Sequence, residues 1–207
     1  MNAHRPVATL SSWFALLVLA SQVAPATAAD LATDSPTATI ATLQAALVEV
    51  ARANPTLDER YRLLEPLIVA THNLPYIAEF ALRRQWPSLN AADRQRYVAA
   101  FQRLSVMNYA ARFGNVAPGA FRPIEAAVPD ANGRVRITTG IARESQPDVS
   151  FEYLLQQDET GWRIINIVAD GVSDLALKRA EYQRLFTSGG LEGLLAELDE
   201  QTKRLQE

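Results

Sequence analysis

The feature that most narrows the fold is a change of hydrophobic period along the chain. Before Gly114 and after Ser173, apolar residues recur at every third or fourth position; between them they recur at every second. Val135, Ile137, Thr139 and Ile141 alternate with Arg136, Thr138, Gly140 and Ala142, and Val149, Phe151, Tyr153 and Leu155 alternate with Ser150, Glu152, Leu154 and Gln156. Such alternation marks half-buried strands. Trp162 to Ala169 is apolar on both faces except at Arg163 and Asn166, which predicts a central strand, and Phe121 to Val128 reads as a weaker strand ahead of the others. Asn132-Gly133 and the stretch from Asp158 to Gly161 supply the turns. Helices, a small antiparallel sheet and helices again make an α+β domain, with helices packed on one face of a twisted sheet and a cleft between the layers.

The helical parts carry their own punctuation. After a loose leader from Leu31 to Thr37, Ile40, Leu43, Leu47 and Val50 fall at helical spacing, and Asn54-Pro55 ends that helix because a residue before proline avoids helical backbone. Thr56 with Glu59 is a capping box for a second helix through Leu64, Leu67 and Ile68. Pro66 and Pro75 predict breaks in this stretch, so two or three short helices are expected, the last running from Leu74 to Trp86. Asn90 to Asp93 caps the longest helix, with Tyr97, Phe101, Leu104 and Asn108 on one stripe and Val98, Ser105 and Tyr109 beside it; Gly114 stops it. Ser173 caps a helix to Phe186, and Ser188-Gly189-Gly190 breaks it. A final amphipathic helix carries Leu191, Leu194, Leu195, Leu198 and Leu205, and is expected to close over the sheet with the glycine pair as its hinge.

The first residues read as an export signal, assigned to residues 1–29. His4 and Arg5 precede an apolar run from Trp13 to Ala20, and Ala26-Thr27-Ala28 supplies the small residues of a cleavage site. The run is too short to span a bilayer, and Pro25 with the cleavage site weighs against an uncleaved anchor. Residues 30–207 then suit one domain. Without Arg5, 19 basic residues face 23 acidic ones, a mild acidity that argues against nucleic acid as a partner.

Chemistry-bearing residues are sparse. The chain has no cysteine, and beyond the signal its one histidine is His72, so a metal site built from His and Cys is close to excluded. No phosphate-binding or dinucleotide glycine motif and no nucleophile elbow occurs. His72 reads as a surface or capping residue, Glu152 as solvated, and Asp170 as a cap for the turn or helix that follows. No catalytic residue and no cofactor are assigned. Aromatic residues are the positive signal. Phe101 and Tyr109 from the long helix, with Phe151, Tyr153 and Trp162 from the sheet, suit the wall of an apolar pocket. Period-two geometry sends Phe151 and Tyr153 to one face, with Ile137 and Ile141 on one neighbouring strand and Trp162, Ile164 and Val168 on the other. Val172 completes the candidate set.

Several short pieces, in their order and spacing, carry a resemblance: Leu74-Pro75-Tyr76, Trp86-Pro87-Ser88-Leu89, Tyr109-Ala110-Ala111-Arg112-Phe113, Gly161-Trp162-Arg163-Ile164 leading to Asp170-Gly171-Val172-Ser173, and Phe186-Thr187-Ser188-Gly189-Gly190-Leu191. With them the chain resembles the MlaC-type periplasmic lipid carriers, also known as toluene-tolerance auxiliary proteins of ABC transporters, and most of all their hopanoid-associated branch. The resemblance spans about Thr39 to Leu205. Asn73 and Arg83-Arg84-Gln85 depart from the family pattern, which weighs against the surface near Trp86 as a shared partner site. The resemblance implies a fold broadly like the nuclear-transport-factor-2 superfamily and a deep apolar cavity for the acyl chains of a membrane lipid. It also implies two partners: an inner-membrane ABC transporter with its ring-forming substrate-binding protein, and an outer-membrane lipoprotein complex. Two other readings stay open, a cleft enzyme on the same scaffold and a periplasmic adaptor that binds only proteins.

Overall fold

The structure is a computed structural model that describes residues 33–143 and 146–207. The export signal and its cleavage site lie outside the described residues. Helix α1, Pro36–Ala53, starts where the Ser35 hydroxyl accepts from the Ala38 amide, with Pro36 at a position that needs no amide donor. It ends at Asn54 in the left-handed region. The Thr56–Glu59 capping box forms and opens α2, Leu57–Thr71. Pro66 does not break this helix. Leu64, Leu67 and Ile68 bury on both sides of it, and at about 1.5–3 kcal/mol for each buried side chain their packing exceeds the roughly 3 kcal/mol that an internal proline costs.

Asn73 caps α3, Leu74–Ala81, which stops earlier than the spacing predicts; Trp86–Ser88 forms a separate 3-10 turn. Helix α4 runs from Ala91 to Arg112 behind an Asn90 cap. Its stripe buries Tyr97, Phe101 and Leu104, and the Tyr97 hydroxyl donates to the Ala78 carbonyl.

Five antiparallel strands follow in the spatial order of the chain: β1 Val128–Pro129, β2 Val135–Arg143, β3 Gln146–Asp158, β4 Gly161–Ala169 and β5 Val172–Ser173. The segment from Phe121 makes little regular pairing. It follows β2 through a single bridge, Phe121 to Ile141, and through the Arg122 and Glu125 amides, which donate to the Gly140 and Thr138 carbonyls. The middle strand is β3, not β4. Yet β4 is bonded along both edges, to β3 on one side and on the other to β5 and to the Asn73 amide, which donates to the Ile164 carbonyl at 2.9 Å.

Register decides which side chains share a face. Ile137 lies opposite Tyr153, Thr139 opposite Phe151 and Ile141 opposite Val149, as the alternation predicts. On β4 the register shifts: Leu155 pairs with Ile164 but Leu154 pairs with Asn166, so Ile165 is an extra residue. A bulge of one residue inverts every side chain beyond it. Ile167 and Ala169 therefore join the face of Tyr153 and Phe151, and Val168 turns to the opposite face beside Glu152.

Helix α5 spans Asp174–Arg204 and contains one non-helical residue, Gly190, at φ 63 and ψ −161. The chain doubles back there. The Gln201 amide donates to the Glu181 carboxylate at 2.7 Å, so residues 20 apart in sequence are neighbours. The last helical segment does not close over the sheet. Its buried Leu194 and Leu198 face helices, with Glu192 bound by both outer nitrogens of Arg96 on α4. Tyr182 in the first half of α5 packs edge-on against Tyr97 and Phe101.

Candidate ligand-binding cavity

Between the inner face of the sheet and the helices lies a cavity of about 420 Å³, within the range of small-molecule sites. Four parts of the chain build it. The sheet gives Val149, Phe151 and Tyr153 from β3 and Ile164, Ile167 and Ala169 from β4. Helix α4 gives Phe101, Ser105, Asn108, Tyr109 and Arg112, spaced so that one stripe faces inward, and Phe113 follows at its end. The α2–α3 junction gives His72, Leu74 and Ile77, and the first turns of α5 give Asp174, Leu175 and Lys178. The Asn166 carboxamide holds that helix start in place by accepting from the Ser173 hydroxyl and the Leu175 amide.

Of the ten candidate residues, Phe101, Tyr109, Phe151, Tyr153 and Ile164 line this cavity. The other five do not. Ile137 is fully buried beside Tyr153, in solid packing. Ile141 is on the same face at the far strand, opposite Val149. Trp162 lies at the other end of β4, where its carbonyl accepts from the Thr39 hydroxyl. Val168 is turned away by the bulge, and Val172, on the two-residue edge strand, is 52% exposed. Residues not read from the sequence include Ile165, Ile167 and Leu175. The inward stripe of α4 gave the one available signal, through Ser105 and Asn108.

His72 is not at the surface: only 3% is exposed. Its backbone amide caps α2, and its ring closes a chain of hydrogen bonds inside the wall. The Thr71 hydroxyl donates to the Leu67 carbonyl at 2.8 Å. It has one proton, so it accepts from His72 Nδ1 at 2.9 Å, and His72 Nε2 accepts from the Tyr109 hydroxyl at 2.9 Å. Burial lowers the imidazole pKa to about 4 and raises that of Tyr109 well above the usual phenol range. Both ring nitrogens are engaged within the protein, so His72 offers no free base to the cavity. Asp170 sits in the left-handed region ahead of Gly171, and its carboxylate accepts from the Ser150 amide across the strand end. Among the described residues, no group of three His, Asp or Glu side chains is placed to hold a metal. No described helix is long and apolar enough to cross a membrane.

Two comparisons bear on this arrangement. The family described as MlaC protein matches residues 38–200. A solved structure of the phospholipid-binding protein from Ralstonia solanacearum, in complex with a phospholipid, shares the fold with a TM-score of 0.67. The two are 22% identical, and the match covers 83% of this chain and 98% of that one.

Proposed function

The chain belongs to the MlaC family, and from that premise we propose that it is a periplasmic carrier that holds a phospholipid or hopanoid-like lipid and shuttles it between inner and outer membrane. In this reading a signal peptide is cleaved near Ala28 and a single lipid-carrier domain follows. The carrier is the soluble component of an ABC transport system, meeting the ring-forming substrate-binding protein at the inner membrane and a lipoprotein complex at the outer one. It is not an enzyme, and lipid is cargo rather than cofactor.

The observation that carries the reading is the apolar wall of Phe101, Phe151, Tyr153, Ile164 and Ile167, set between the sheet and the helices. Each CH₂ left in water costs about 0.8 kcal/mol, so an acyl chain of roughly 15 carbons costs on the order of 10 kcal/mol in the open periplasm. A soluble carrier has to hide that surface, and doing so needs no nucleophile or metal. That the Ralstonia protein of the same fold was solved in complex with a phospholipid supports the reading. Direction must come from the partners, because a carrier alone equilibrates its cargo. The test is to purify the protein from its native periplasm, extract it with organic solvent and analyse the extract by mass spectrometry. Stoichiometric lipid is expected; an extract without lipid overturns the reading.

A further inference from the structure

The cavity is apolar inside and charged where it opens. Phe101, Tyr153 and Ile164 are buried, whereas Arg112 and Asp174 are exposed and mark the mouth. Arg112 lies on the last turn of α4, three residues beyond Tyr109, and no ion pair engages it among the described residues. Lys178 forms an ion pair with Asp174, one turn earlier on α5, and its side chain is only 22% exposed. An ammonium has three N–H donors, and one carboxylate oxygen occupies one of them. These three are the charged residues of the lining, since His72 is neutral, so the mouth carries a surplus of positive charge on a chain whose net charge is −3.

We propose that Arg112 and Lys178 form a binding site for a phosphate group, supplied by the lipid whose chains fill the cavity. The proposal rests on the lipid-carrier reading above and adds how the headgroup is read. A guanidinium presents a planar fork of donors that matches two phosphate oxygens, and an ammonium adds a compact charge beside it. Asp174 holds Lys178, which lines the same cavity as Arg112, through the pairing of residues four apart on a helix. The apolar wall reads chains, and the two cations read the phosphate.

The test uses the purified protein, stripped of lipid, titrated with a phosphatidyl lipid and with the diacylglycerol of the same chains. The variants are Arg112→Gln, Lys178→Gln, the double substitution and the charge-preserving Lys178→Arg; Arg136→Gln, on the outer face of the sheet, is the control. Phospholipid affinity should fall roughly tenfold in each neutralised single variant, and further in the double. Lys178→Arg and the control should keep it, and diacylglycerol affinity should not change. Equal loss for both lipids, or no loss for the phospholipid, overturns the proposal while leaving the carrier reading in place. If inorganic phosphate binds saturably without altering phospholipid affinity, the site belongs to the free ion and the headgroup assignment is overturned. An unaltered protein that binds neither lipid overturns both readings.

Discussion

Phe151 is half-buried on the inner face of β3, opposite Thr139 and Ala169, with its ring centroid 6.0 Å from that of Tyr153. Phe151→Glu would set an unpaired carboxylate against bound chains, costing several kcal/mol of lipid affinity. A side chain that borders empty space can be changed without unfolding the protein, so this variant should keep its circular dichroism spectrum and lose its lipid. Glu152 faces the other way, paired with Arg136 at 3.4 Å, and Glu152→Ala should change neither property. Unfolding of the first variant or lipid loss in the second would count against the cavity wall as described. His72 makes a different prediction. Its pKa of about 4 in the folded protein lies below the roughly 6.5 of an unfolded chain. The unfolded state therefore binds the extra proton first. The stability this represents is complete above about pH 6.5 and is lost as pH falls toward 4, up to about 3 kcal/mol. Urea unfolding across that range should show the decline, and His72→Gln should flatten it even though the variant is less stable at pH 7. An unchanged slope would remove His72 as its source. Phe151, Tyr153 and Ile164 were legible from alternation alone. His72 was not, because its burial depends on the α2–α3 junction meeting β4, a contact with no local signature.

At the level of elements, the sequence shows periods and caps well and interruptions less well. The Thr56–Glu59 box, the Asn90 cap and the three long strands all follow from spacing and side-chain chemistry. Pro66 was misleading because burial on both sides outweighs its local cost. The bulge at Ile165 was invisible because Ile164, Ile165, Ile167 and Val168 are all apolar, so either phase of the strand buries comparable surface; only the register against β3 shows that Ile167 faces inward. The break near Ser188 was legible, but not the direction the chain takes after it. Gly190 sets that direction, with backbone angles that belong almost solely to glycine. Gly190→Ala should destabilise the protein by about 1–3 kcal/mol through backbone strain alone, since an added Cβ meets no atom within 4 Å. Gly189→Ala, in helical backbone with equal space around it, should be neutral or stabilising by about 0.5–1 kcal/mol. Equal losses in chemical denaturation for the two variants would mean that Gly190 does not impose the bend.

Over the whole molecule, a cargo that binds only the folded state adds to stability with the logarithm of its free concentration relative to Kd. Extracting lipid should lower the melting temperature, and reloading should restore it; at a free lipid concentration about a hundredfold above Kd the gain is about 2.7 kcal/mol. A melting temperature indifferent to lipid would contradict binding in the interior. EDTA should leave the melting temperature unchanged, and a clear drop would reveal a metal that the described residues do not account for. The α+β layering was legible in the sequence because it needs only the order of periods, whereas the cavity was legible only in part because it is assembled from segments far apart in the chain. Its wall begins at His72 and closes only with Lys178. That span has a consequence for biogenesis. No fragment that stops short of α5 contains the vessel, so a chain still emerging residue by residue has nowhere to put a lipid. On the carrier reading, loading has to wait until α5 is available, so the site for cargo is complete only once almost the whole chain has been made.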